Sequence, residues 1–210
     1  KYRRHIFLLH PNKVVIYDEL EANEKVRWDW LLHSPVKFDI NPAASILTTV
    51  NKEKGFSSVV QLFCEQEAAI TQTDKYAAPP NHADAQRGED FTDPWSLTAS
   101  FGPSRNNRIL TIIQVEADGR QAVQIMREGN TFRCGEWVIE AELNAKRPGR
   151  LYIRNSRNNA VFSYGDKKPE INGELYSCKE KDASVLFDCV NGEWTVQEMG
   201  DQRVQTMGKW

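Results

Sequence analysis

With 210 residues, the chain can hold one large all-β domain or two small ones, and it is long enough to bury a real core. Its 27% charged and 40% hydrophobic residues exclude a disordered chain, and a formal net charge of −2 lacks the basic excess of a nucleic-acid binder. No apolar run approaches the roughly 18 residues that a membrane-spanning helix needs.

Helical periodicity is nearly absent. Apolar residues alternate with period two or form short continuous runs, and turn residues interrupt them at the rhythm of a sandwich or barrel. Ile6 to Leu9 is apolar on both faces, as in a strand covered on both sides. Pro11-Asn12-Lys13 turns it into the β-branched run Val14 to Tyr17. Glu21 to Lys25 reads as a polar connector. Val26, Trp28, Trp30 and Leu32 then alternate with Arg27, Asp29, Leu31 and His33, and Val36, Phe38 and Ile40 with Lys37 and Asp39. Ser45 to Val50 and Ser58 to Cys64 flank a hairpin turn, with Gly55 suited to a positive φ.

From about Glu65 to Pro94 the pattern stops, in a polar stretch holding Pro79-Pro80 and Gly88. A loop of that length inside a domain is functional or mobile more often than not. Trp95 to Phe101 resumes the alternation, Gly102 to Asn107 reads as a connector, and Ile109 to Val115 as a buried strand. Asp118-Gly119 predicts a tight turn into a strand over Ala122 to Met126. After about residue 130 the strands shorten and turns become denser, through Trp137 to Ala141, Leu151 to Ile153, Ala160 to Tyr164, Leu175-Tyr176, Ser184 to Phe187 and Glu193 to Val196. The expected fold is an all-β antiparallel sandwich over 1–128 with a smaller C-terminal β subdomain over 129–210.

Three groups of residues invite a functional reading. His5, Asp18 and His33, on successive strands, are two imidazoles and a carboxylate of the kind that holds zinc or another divalent metal. Their spacing matches no motif, and a His–Asp hydrogen bond or surface placement is the simpler reading. Next to His82, the residues Asp84, Glu89, Asp90 and Asp93 offer carboxylates for calcium, without the regular spacing of an EF-hand loop, and His82 itself is a candidate carbohydrate contact. A solvated polar loop is again simpler. Trp28, Trp30 and Trp95 are aromatics on which a sugar ring stacks when they are exposed. Two tryptophans flanked by Val26 and Leu32 are more simply a core stripe. Cys64, Cys134, Cys178 and Cys189 form no C-x-x-C pair, which removes a local zinc motif. They read as four buried thiols, with a Cys178–Cys189 disulfide open to an exported protein. No nucleophile elbow, P-loop or dinucleotide fingerprint is present.

Arg3-Arg4-His5-Ile6-Phe7-Leu8-Leu9-His10-Pro11 through Val14-Val15-Ile16-Tyr17-Asp18-Glu19-Leu20, then Trp30-Leu31-Leu32-His33-Ser34, resembles the C-terminal β-sheet region of heparinase II/III-like polysaccharide lyases. Trp95 to Ala99 with Arg108 to Val115 is similar to a later strand pair of that family, and Ala183 to Phe187 with Gly192-Glu193-Trp194 to its closing β subdomain. The resemblance implies a β-sandwich segment that packs against an N-terminal α/α toroid. Such lyases act on acidic polysaccharides by β-elimination: the uronate charge is neutralised, a base takes the C5 proton and an acid serves the leaving oxygen. The family's catalytic Asn, His and Tyr lie largely on the toroid, and its metal-binding histidines align before Lys1. No catalytic or metal residue therefore carries over, and any divalent metal belongs to the parent enzyme.

The expected partners are the acidic polysaccharide and the toroid, with no nucleic acid and no membrane span. The expected location, from the resemblance alone, is periplasmic or secreted. Lys1-Tyr2-Arg3-Arg4 opens in a strand and not in a signal peptide, which suggests a segment of a longer chain cut on its N-terminal side. The rival expectation is a stand-alone carbohydrate-binding module or an interaction domain.

Overall fold

Strands make up almost every element of the computed structural model, which describes residues 1–75, 94–117, 120–155, 160–166, 168–171, 174–178, 183–190, 192–198 and 205–209, the last group by backbone alone. The chain divides into two compact units, Lys1–Ala122 and Val123–Trp210. In the first lie β1 (Tyr2–Leu9), β2 (Lys13–Ser34), β3 (Asp39–Asn41), β4 (Ile46–Asn51), β5 (Phe56–Phe63), β6 (Ala68–Thr73) and β7 (Trp95–Ala117). They form one antiparallel sheet in the order β1-β2-β7-β5-β4-β3, with β6 also paired to β7.

The sheet is built around β7. Over nearly its whole length one edge pairs with β2, from Lys13↔Gln114 to Ser34↔Trp95. Its other edge is shared: β5 takes Leu110 to Ala117 and β6 takes Ser96 to Phe101. Both expected connectors, Glu21 to Lys25 and Gly102 to Asn107, are parts of these two strands. They meet each other at an irregularity, where the step from Glu21 to Val26 on β2 is matched by the shorter step from Asn106 to Ser104 on β7. Polar residues are tolerated there because a bulge leaves its extra residues out of the ladder, and it bends the strand.

That bend lets one sheet supply both walls of a core. Leu97, Ala99 and Phe101 from the first half of β7 are buried with Ile109 from its second half, and with Trp30, Phe38, Leu47, Val60 and Leu62. The gap between β6 and the chain entering β3 is closed by a side chain. The Gln72 amide accepts from the Phe38 N–H (3.1 Å) and donates to the Phe38 carbonyl (2.9 Å), standing in for a strand neighbour. On the opposite face Val15, Tyr17, Leu110 and Ile112 are also fully buried. Burial on both faces is why Val14 to Tyr17 and Ile109 to Ile113 read as continuous apolar runs.

Three further expectations need correction. Ile6 to Leu9 is not covered on both sides, since Ile6 and Leu8 are exposed. Ala68–Thr73 lies within the stretch read as irregular and is a strand, its alternation hidden because Thr and Gln fill half the positions. Conversely, residues 121–125 are not a strand. Beside Leu110 to Gln114 both edges of β7 are already occupied, by β2 and β5, so a hairpin partner following it finds an edge to join only at the last residues of β7.

The second unit contains β8 (Met126–Glu128), β9 (Thr131–Cys134), β10 (Trp137–Ala141), β11 (Leu151–Asn155), β12 (Ala160–Tyr164), β13 (Glu170–Ile171), β14 (Glu174–Leu175), β15 (Ser184–Val190), β16 (Glu193–Glu198) and β17 (Gln205–Lys209). Eight of these make an antiparallel sheet in the order β17-β16-β15-β12-β11-β10-β9-β8, and β13 and β14 form a separate hairpin. Val161, Val185, Phe187, Trp194 and Val196 pack with Cys178 as one core, and Tyr176 meets Phe187 edge-on at 5.3 Å. Gly165 has φ +75°, and a Cβ there would lie 2.0 Å from the Gly149 carbonyl oxygen, so only glycine fits.

Candidate functional site

His5 and Asp18 are on paired strands but point to opposite faces. In the ladder His5 faces Tyr17, whereas Asp18 faces Arg4, and successive side chains of a strand alternate. His5 lies between Phe7 and Tyr17, ring centroids 6.4 and 6.3 Å away. Burial pushes its pKa below the ordinary value, with Glu19 pulling the other way. Asp18 is 1% exposed and is held by Arg4 through two hydrogen bonds of 2.6 and 2.8 Å. A carboxylate gripped in this way is a fixed acceptor and a poor ligand or base. The Arg4 guanidinium also sits 5.5 Å from the Tyr2 ring, and burial and Asp18 together raise the Tyr2 pKa. His33 is exposed at the far end of β2, beyond the bulge. The three side chains therefore do not converge, and no group of three His, Cys, Asp or Glu among the described residues could hold a metal ion.

The tryptophans are placed by the bent sheet. Trp30 is 4% exposed inside the core. Trp28 packs against that core and donates its indole N–H to Ser104, 3.1 Å to Oγ and 3.2 Å to the carbonyl. Trp95 packs there too, with the Lys37 ammonium 5.1 Å over its ring. Trp30 thus has no face for a sugar. His82, Asp84, Glu89 and Asp90 lie outside the described residues, as does Asp93.

Sequence reading missed two polar clusters, each assembled from distant stretches. At the bend between β5 and β6, the Cys64 thiol donates to Asn107 Oδ1 (3.1 Å), and the Gln66 N–H meets the Cys64 sulfur at 3.4 Å. Burial raises the Cys64 pKa, so the thiol stays protonated and unreactive at neutral pH. At the tip of the β1–β2 hairpin, Asn12 donates to Glu116 and accepts from Lys13 Nζ at 2.9 Å, although Glu116 is about a hundred residues away in sequence. Beside this tip Leu8, Pro11, Val14 and Val115 help to line an open, mainly apolar cleft of about 280 Å³. The Asn12–Glu116 pair carries no signal in the sequence, because only β2–β7 pairing brings it together. No disulfide joins the four cysteines; Cys134 and Cys178 are buried, and burial pushes the Cys178 pKa up to about 11.

No protein-family model matches the chain, and no curated protein matches it. No helix among the described residues is long and apolar enough to cross a membrane. The chain is all-β with two antiparallel sheets, and the ion pairs Arg4–Asp18 and Arg108–Glu19 lie within the first of them.

Proposed function

We propose that this chain is a non-catalytic β-sandwich part of a heparinase II/III-like lyase, which acts on acidic polysaccharides by β-elimination and carries its acid–base groups on an α/α toroid. What supports the reading is that the stretches carrying the resemblance lie side by side: Arg3 to Leu9 pairs with Lys13 to Glu19, which pairs with Arg108 to Gln114. Within this block the charges answer one another across strands, Arg4 to Asp18 and Arg108 to Glu19, at 2.6 and 3.4 Å. They hold the register of the sheet and are not presented to a substrate. Among the described residues a divalent metal of such an enzyme finds no ligand set, since His5 and Asp18 face apart.

A stand-alone sugar-binding module would instead call for a flat exposed aromatic surface. Trp28, Trp30 and Trp95 belong to or pack against the core. The test compares this chain with the complete gene product on glycosaminoglycans and alginate, following absorbance of the unsaturated uronate. The chain alone is expected to release none and the complete product to release it. Elimination by the chain alone, or none by the complete product, overturns the proposal.

A further inference from the structure

Within the first sheet, β6 pairs only with β7 and β3 only with β4 among the described residues. The bend brings their two outer sides toward each other, and the turn Pro42–Ala44 that follows β3 lies beside β6. No ladder joins them. What crosses the gap is the Gln72 side chain, whose amide takes up both main-chain groups of Phe38, the N–H at 3.1 Å and the carbonyl at 2.9 Å. Phe38 ends a short segment, Pro35 to Phe38, that lies outside the strands between Ser34 of β2 and Asp39 of β3. The other ties of this segment are few. Pro35 has no N–H to give, Val36 donates to Ser34 Oγ next to it at 3.1 Å, and the Lys37 ammonium rests 5.1 Å over the Trp95 ring. Yet Phe38 is 4% exposed and belongs to the core that holds Trp30, Leu47, Leu97 and Phe101.

A deeply inserted ring on a thinly tied segment is the arrangement of a plug on a strap. We infer that Pro35 to Phe38 opens as a unit over the core of the first sheet, hinged at Ser34 and Asp39, with Phe38 as its plug and Gln72 as its latch. Opening breaks the two Gln72 bonds and withdraws one ring. The ladders stay whole, since Ser34 keeps its place opposite Trp95 and Asp39 its place opposite Thr48. Reaching the same core through β2, β7 or β5 parts a strand pair along its length instead. Openings that expose little surface and break few bonds lie far below global unfolding in free energy. The strap is therefore the place where the first unit opens first. The latch also sets how often: a side-chain amide holds two backbone groups as a neighbouring strand would, but through one residue and its rotatable bonds. Each excursion costs a side chain its bonds and leaves the sheet standing.

Residue-resolved hydrogen exchange of the whole chain, repeated at low urea concentrations, tests this independently of any lyase activity. The Phe38 N–H is expected to exchange at least roughly tenfold faster than those of Leu110 and Ile112, which sit in the doubly paired part of β7. Its rate should also depend little on urea, whereas theirs rises steeply, because a local opening exposes little new surface. This comparison is made on the unaltered chain and needs no variant to fold. Gln72→Ala is expected to speed Phe38 exchange by a further tenfold or so and to leave Leu110 and Ile112 unchanged. Gln72→Glu keeps an acceptor for the N–H and loses the donor to the carbonyl, so it falls between. Thr71→Ala, at the exposed neighbouring position on β6, leaves the Phe38 rate as it is. A Phe38 N–H that exchanges only together with Leu110 and Ile112, with the same urea dependence, overturns the inference. So does a Gln72→Ala chain in which the Phe38 rate is unchanged or all three rates rise alike.

Discussion

The two units solve the same problem in opposite ways. In the second, neighbouring strands mostly follow one another in sequence, and β8 to β12 form an uninterrupted meander. In the first, the central pair β2–β7 joins Lys13 to Gln114, and almost every element of the sheet lies between them in the chain. Local hairpins pay little loop-closure entropy, whereas long-range pairing must be repaid by burial after the loop has closed. The first unit accordingly buries the middle of its sheet on both faces and ties the bend with Phe101, Ile109 and the Gln72 clasp. The lesson is that a strand shared by three partners concentrates stability at a few positions, and a meander spreads it along its turns.

The largest effect should come from breaking the shared strand. Phe101 is 1% exposed where β7 bends, and Phe101→Ala is expected to cost about 3–5 kcal/mol in the first unit. Urea unfolding with hydrogen exchange across Lys1–Ala122 reads the loss; a change below about 1 kcal/mol would mean that the bend is not where the unit is held. Next comes a turn of the meander. Gly165→Ala places a methyl group against the Gly149 carbonyl at a positive φ, and it is expected to cost roughly 2–4 kcal/mol, seen as lost protection in β11 and β12. Unchanged exchange there would show that the two loops separate freely.

The smallest effect is a pH slope in the first unit. Burial depresses the folded pKa of His5 below its unfolded value, so the unfolded chain binds the proton more readily. The contribution is therefore complete above the unfolded pKa near 6.5 and is lost as pH falls through that value toward the folded one. His5→Gln should flatten the slope of the urea midpoint between about pH 5 and 7. A slope that survives the substitution would assign it to other groups.

How much of this was legible depends on the range of the interactions. The β4–β5 hairpin could be read from the sequence, since Gly55 takes φ 65° between two apolar runs. So could most strands of the second unit. Ala68–Thr73 could not, because a strand rich in Thr and Gln is recognisable only once the free edge of β7 beside Ser96 to Phe101 is known. The candidate site shows the same limit. Residue types suggested a His–Asp–His set, but one strand position separates Asp18 from Tyr17, and with period two that position moves a side chain to the other face.

The amino-acid sequence by itself determined the all-β class, the alternation that buries Trp30, Leu97, Ala99 and Phe101, and the turns of the second unit, because these follow from side-chain period and local backbone preference. Tertiary structure alone decided that two polar connectors are one bulged ribbon, that Asp18 belongs to Arg4, and that Asn12 meets Glu116. Those outcomes depend on which strand reaches which edge, and hydrogen-bonding edges are filled by partners that can lie a hundred residues away.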